Sequence, residues 1–129
     1  MKKSEFIQEV YNEINTIKEK ATKREISRLN FNKFEHTNSG QCIYGQMTGD
    51  CYSTRAKDLY IKSLDAISKP NVDVNTDENG NDIYKFKDLD LERGNYFTYL
   101  ESYLFTCSRK TQKEIIQYLK GESTKLYIK

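Results

Sequence analysis

Apolar residues in the first part of the chain recur at steps of three and four. Phe6, Ile7, Val10, Tyr11, Ile14, Ile17 and Ala21 form one stripe, the spacing that buries a single face of a helix. The pattern predicts a long helix from Ser4 to about Asn30, with the Ser4 hydroxyl taking a first-turn amide. Thr22-Lys-Arg-Glu25 has capping-box spacing inside this run, so the helix is expected to break there and restart towards Ile26 and Leu29. A second helix is predicted from Arg55 to Ser68. Ser53 or Thr54 caps it, Ala56, Leu59, Tyr60, Leu64 and Ile67 make its apolar face, and Pro70 stops it. A third, from about Asn95 to Ser108, turns Phe97, Leu100, Tyr103, Leu104 and Cys107 inward. A fourth opens with the capping box Thr111-Gln-Lys-Glu114 and closes at Gly121.

Between the second and third helices the period changes. Val72 and Val74 alternate with polar residues, Ile83, Tyr84 and Phe86 follow, and Asn79-Gly80 lies between them. Asn-Gly between alternating apolar residues signals a hairpin. The terminal Lys-Leu-Tyr-Ile-Lys either pairs as a short strand or stays loose. The expected fold is a single domain over residues 1–129, α+β and mainly helical. A long N-terminal helix packs with three shorter helices and a small β-hairpin.

Residues 36–52, HTNSGQCIYGQMTGDCY, follow neither period. They hold Gly40, Gly45 and Gly49, two of the three cysteines and the only histidine. An irregular glycine-rich connection of this length reads as a surface segment whose backbone can approach a ligand or partner closely. A short strand at Gln41–Tyr44 is the alternative.

Composition narrows the classes. The chain has 129 residues, 31% of them charged, but ten Tyr and six Phe supply large units of burial, which favours order over disorder. No apolar run is long enough to span a bilayer. Glu5, Gln8, Glu9 and Glu13 interrupt the leading segment where a secretory signal would need an apolar stretch, so a cytoplasmic location with reduced thiols is expected. Formal net charge is only +2, yet it is unevenly spread. Residues 1–34 carry eight basic and five acidic side chains, residues 69–93 four and seven, and residues 109–129 six and two. Basic ends around an acidic middle suit a partner of mixed charge, or a protein–RNA complex, better than bare duplex DNA.

Four kinds of chemistry are within reach of the residue types in the chain. His36, Cys42, Cys51 and Cys107 are residue types that bind zinc, but no Cys-x-x-Cys or His-x(3–5)-His spacing joins them. Cys42 or Cys51 as a nucleophile with His36 as base lacks any surrounding signature. Asn75-x-Asp77-x-Asn79-Gly80 imitates the start of a calcium loop, yet Phe86 stands where a bidentate Glu is needed, so a hairpin tip is expected. The run Gly45-Gln-Met-Thr-Gly-Asp-Cys-Tyr-Ser-Thr54 could hold one anion at a helix start, but lacks the Gly-Lys-Ser/Thr of a nucleotide-hydrolase loop. No cofactor and no catalytic residue is assigned.

Recognition by aromatic and basic side chains is the remaining reading. Tyr44 and Tyr52 are the tyrosines that helical packing explains least, and with Gln46, Met47 and Arg55 they are the expected contact surface. Lys20, Arg24 and Arg28 on the basic face of the first helix would assist, with Lys18, Lys110, Lys113, Lys120 and Lys125 as further phosphate contacts. A solvated stripe is the plainer account of that face.

In size and in its abundance of Lys, Asn, Ile, Glu and Tyr, the chain resembles the small accessory proteins of phages and mobile elements, anti-CRISPR inhibitors among them. The resemblance implies a non-enzymatic, stoichiometric binder of a host defence ribonucleoprotein, acting as monomer or dimer without a membrane. A small nucleic-acid-binding protein, zinc-assisted through His36, Cys42 and Cys51, is the alternative.

Overall fold

The leading apolar stripe forms α1 (Lys3–Lys20) in the computed structural model, which describes residues 3–35, 38–60, 72–76, 78–80, 82–86, 91–93, 98–126 and 128. Phe6, Val10, Ile14 and Ile17 are fully buried, and each contributes about 2 kcal/mol through removal from water. Ser4, the expected cap, lies inside the first turn because α1 already begins at Lys3.

The break falls where the capping box places it. Thr22 leaves helical geometry at ψ 161°, its hydroxyl accepts the Glu25 amide at 3.1 Å, and its own amide donates to Glu25 Oε1 at 2.9 Å. The restart, α2 (Lys23–Ser27), is short. Asn30 then caps a 3₁₀ turn, Phe31–Lys33.

The glycine-rich segment is not an irregular surface connection. It folds into α3 (Ile43–Thr48), with Cys42 as N-cap and Gly49, at φ 98°, as C-cap. No strand forms at Gln41–Tyr44. Gly45 allows this packing: a Cβ there would run into the Ser39 carbonyl, so only glycine lets the Asn38–Gln41 turn lie against α3. Next comes α4 (Thr54–Tyr60), whose Ala56 amide bonds the Ser53 hydroxyl at 3.1 Å. Ala56, Leu59 and Tyr60 are buried as expected, while the predicted continuation to Ser68 lies outside the described residues.

An isolated two-stranded hairpin is not what forms. Strands β1 (Val72–Thr76), β2 (Asp82–Phe86) and β3 (Leu91–Arg93) pair antiparallel in that order, with Val74 opposite Tyr84 and Lys85 opposite Glu92. A lone hairpin is marginal in water, and a third strand adds the pairing it lacks. The fold nevertheless remains mainly helical.

Thr98 caps α5 (Tyr99–Thr106), and Ser108, not Thr111, caps α6 (Arg109–Leu119). The Ser108 hydroxyl accepts the Thr111 amide at 3.3 Å, so the helix starts one turn before the expected box. Its end is the expected one. Gly121 adopts φ 76°, its amide bonds Tyr118 O, and the Glu122 amide bonds Gln117 O, which together satisfy the last carbonyls. In the tail, the described Leu126 and Ile128 are tied to α1: the Tyr11 hydroxyl donates to Leu126 O and accepts from the Ile128 amide.

Among the described residues a cluster of buried side chains runs through the helices, with α1 touching α4, α5 and α6. Phe6 meets Tyr99 edge to face at 5.8 Å. A buried polar crossing passes through this cluster. Glu13 sits among the apolar positions of α1, accepts the Tyr44 hydroxyl with one oxygen and takes the Leu100 amide at 2.8 Å with the other. A carboxyl group in the first turn of α5 meets the positive end of that helix, and the crossing fixes α1, α3 and α5 to one another.

Candidate interaction surface

Most of the expected contact residues are structural. Tyr44 is 1% exposed and stacks edge to face on Tyr60 at 4.8 Å. Burial and the neighbouring Glu13 carboxyl push its phenol well up, so it stays a neutral donor. Met47 is fully buried. Gln46 clamps Asn30 from both sides, accepting its amide at 2.9 Å and donating to its carbonyl at 3.0 Å. Tyr44 and Met47 are not surface residues, because Gly45 and Gly49 mask a helical stripe, Ile43, Tyr44 and Met47, that packs inward, whereas Gln46 lies off that stripe and is half-exposed.

Two of the expected cations also hold the fold together. Arg55 grips Glu25 with two bonds of 2.9 and 2.8 Å and donates to Lys20 O at 3.1 Å. The Arg55 guanidinium, aided by the Thr22 amide, holds the Glu25 carboxyl at about 2, and Glu25 in turn raises Arg55. Arg28 donates to Met47 O at 2.9 Å. Tyr52, by contrast, is 50% exposed, and the Lys20 and Arg24 side chains are exposed.

The Cys42 and Cys107 thiols are not activated as nucleophiles. Cys42 is buried at the N-cap of α3, its sulfur 3.4 Å from the Gly45 amide. Its hydrogen bond with the Cys51 side chain, together with burial, raises the Cys42 thiol far above its ordinary range, opposite to what nucleophilic activation requires. Burial pushes Cys107, at the end of α5, up to about 11. Among the described residues no group of three His, Cys, Asp or Glu side chains is placed to hold a metal ion. His36 lies outside the described residues.

A second set of residues converges where α6 meets the Leu29–Phe34 link. Arg109, Lys113 and Lys120 are spaced by four and seven, along one side of α6. The Arg109 guanidinium lies 4.3 Å from the Phe31 ring centroid, and the Lys113 ammonium lies 6.0 Å from the same centroid. Arg109 also donates to Phe34 O and Gln112 Oε1. Lys120 donates to Leu29 O at 2.6 Å, and Lys18 reaches across from α1 to the Tyr118 carbonyl at 3.3 Å while lying 4.0 Å from its ring centroid. The basic ends of the chain thus meet in space.

The partners of these cations decide the electrostatics. Arg55 meets a carboxylate and is neutralised. Arg109, Lys113, Lys120 and Lys18 meet carbonyl oxygens and ring faces, which orient a cation without cancelling its charge. The seam therefore keeps a positive field on a fixed scaffold. Lys18, Lys113 and Lys120 were legible as phosphate-contact candidates. Arg109 and Phe31 were missed, although Arg109 belongs to the basic C-terminal segment.

No family model matches the chain, and no curated protein or solved structure matches it. No described helix is long and apolar enough to cross a membrane.

Proposed function

We propose that this chain is a non-enzymatic interaction protein that binds a host defence ribonucleoprotein of the CRISPR type and inhibits it by occupying its surface. The observation that supports this reading is the cationic seam of Arg109, Lys113 and Lys120 against the Leu29–Phe34 link. Its charges are held by neutral partners, so they remain available to phosphates that a ribonucleoprotein exposes. Exposed Lys110 borders the seam, and exposed Tyr52 offers an aromatic contact elsewhere on the molecule. The acidic middle of the chain argues against simple coating of nucleic acid, since it repels a phosphate backbone.

The test uses a panel of defence ribonucleoproteins, each assembled with its guide RNA, and measures both binding and inhibition of target cleavage. The expected result is binding to one assembled complex at least about tenfold tighter than to its guide RNA alone, or about 1.4 kcal/mol. Lys110→Glu with Lys113→Glu should weaken that complex at least about tenfold. Binding to no complex defeats the reading. Equal affinity for free RNA, falling steeply with salt, puts the nucleic-acid-binding protein in its place.

A further inference from the structure

The turn Asn38–Gln41 and the segment that follows α3 are fastened to each other at one atom. The Ser39 carbonyl oxygen accepts the Cys51 amide at 2.9 Å, and the Cys42 sulfur lies 3.9 Å from that same oxygen. Cys51 is held on its other side as well, because its carbonyl accepts the Tyr60 hydroxyl at 2.7 Å. Tyr60 is itself buried against Tyr44. With the Cys51 backbone held on both sides, its amide and the Cys42 sulfur converge on the same Ser39 oxygen, which keeps the two cysteines beside each other. Neither cysteine is in a disulfide, and Cys42 is buried while Cys51 is half-buried. A pair held in this way meets the main requirement for a disulfide, which is proximity imposed by the surrounding backbone.

We propose that Cys42 and Cys51 are a redox modification site that closes into an intrachain disulfide across α3 when the protein meets a low-molecular-weight disulfide of the glutathione type. The Cys51 sulfur, the more accessible of the two, attacks one sulfur of oxidised glutathione as its thiolate and expels one glutathione thiolate, which takes up the proton lost by Cys51. The Cys42 sulfur then displaces the second glutathione from Cys51. Its proton leaves with that glutathione, and the Cys42–Cys51 bond forms. Two S–H bonds are lost, one S–S bond is gained, and one glutathione disulfide is reduced to two thiols. The burial that keeps Cys42 protonated also keeps it from reacting first, which fixes the order of the two steps. Cys107, at the end of α5, takes no part.

The test equilibrates the full chain in a series of glutathione redox buffers, quenches with acid, alkylates and digests with trypsin. Residues 34–55 contain no Lys or Arg before Arg55, so both cysteines fall on one peptide. As the buffer becomes more oxidising, that peptide should pass from carrying two alkyl groups to carrying none, with the loss of two hydrogens, while Cys107 stays alkylated. The same transition in denaturant should need a buffer at least about tenfold more oxidising, because only the folded chain holds the two sulfurs together. A peptide that keeps both alkyl groups at the oxidising end overturns the proposal. So does a stable glutathione adduct on Cys51, or a transition that does not move between native buffer and denaturant. In Cys51→Ser the buried Cys42 should gain no glutathione at the concentrations that convert the parent. A Cys42 adduct forming there as fast as at Cys107 would also count against it.

Discussion

Two regions of this molecule hold aromatic and basic side chains close together, and they use them in opposite ways. Between Asn38 and Arg55 the aromatic ring of Tyr44 is sealed in the core and the guanidinium of Arg55 closes on Glu25. Along the seam of α6 and Phe31 the cations rest on ring faces and carbonyls. The first arrangement removes charge and hydrogen-bonding capacity from the surface to build a fold. The second fixes the position of charge and leaves it in place. Whether a basic side chain keeps its charge at the surface thus depends less on its type than on whether its neighbours neutralise it.

The largest effect should come from breaking the core region. Tyr44→Ala removes a ring that packs on Tyr60 and leaves a Glu13 oxygen without its donor, so we expect a loss of about 4 kcal/mol in urea denaturation. Tyr44→Phe keeps the ring and deletes only the hydroxyl, with an expected loss of about 2 kcal/mol. The difference between the two separates packing from the polar crossing. If Tyr44→Ala left the urea midpoint unchanged, the ring would not be the core element described above.

A smaller effect belongs to the ion pair at the break between α1 and α2. The folded Glu25 carboxyl sits at about 2 against an ordinary value of 4.5. Its folded value is depressed, so the stability it supplies is complete above about pH 4.5 and is lost as the pH falls from there through 2. Because Arg55 is 42% exposed, water screens the pair, and Arg55→Met should cost only about 1 kcal/mol near neutral pH. The sharper readout is the slope: stability of the parent should fall between pH 4.5 and 2, and the variant should lose that part of the fall. Parallel curves across that window would show that Arg55 does not hold Glu25 down.

Signals confined to a few neighbouring residues were readable from the chain. Thr22 with Glu25 announced the helix break, Gly121 the end of α6, and the two basic termini their own charge. What could not be read is what depends on distant residues meeting. Glu13 stands at the third step between Val10 and Ile17, and a carboxylate on an apolar stripe is a signal for a buried partner; the partners themselves, Tyr44 and Leu100, come from elsewhere in the chain. In α3, helical spacing of Ile43, Tyr44 and Met47 was hidden because six residues span less than two turns, Gly45 interrupts the stripe and Gly49 ends it. Burial of that helix is decided by Gly45 meeting Ser39, a tertiary contact. The seam needed α6 to lie against Phe31, which no local pattern specifies.

The smallest change in stability should come with the clearest change in recognition. Lys113 is exposed, and in the seam it lies 6.0 Å from the Phe31 ring centroid. Lys113→Gln removes the charge and leaves a polar side chain one atom shorter at an exposed position, so the unfolding free energy should stay within about 0.5 kcal/mol of the parent. Binding to the ribonucleoprotein should nonetheless weaken, and the dependence of log affinity on log salt should lose about one unit of slope if Lys113 neutralises one phosphate. Arg24→Gln, on the exposed part of α2, is the matched control and should leave the slope unchanged. A slope altered equally by both substitutions would mean that general positive charge, rather than the seam, attracts the partner. A slope altered by Lys113→Gln alone would locate recognition where the cations are held by neutral neighbours.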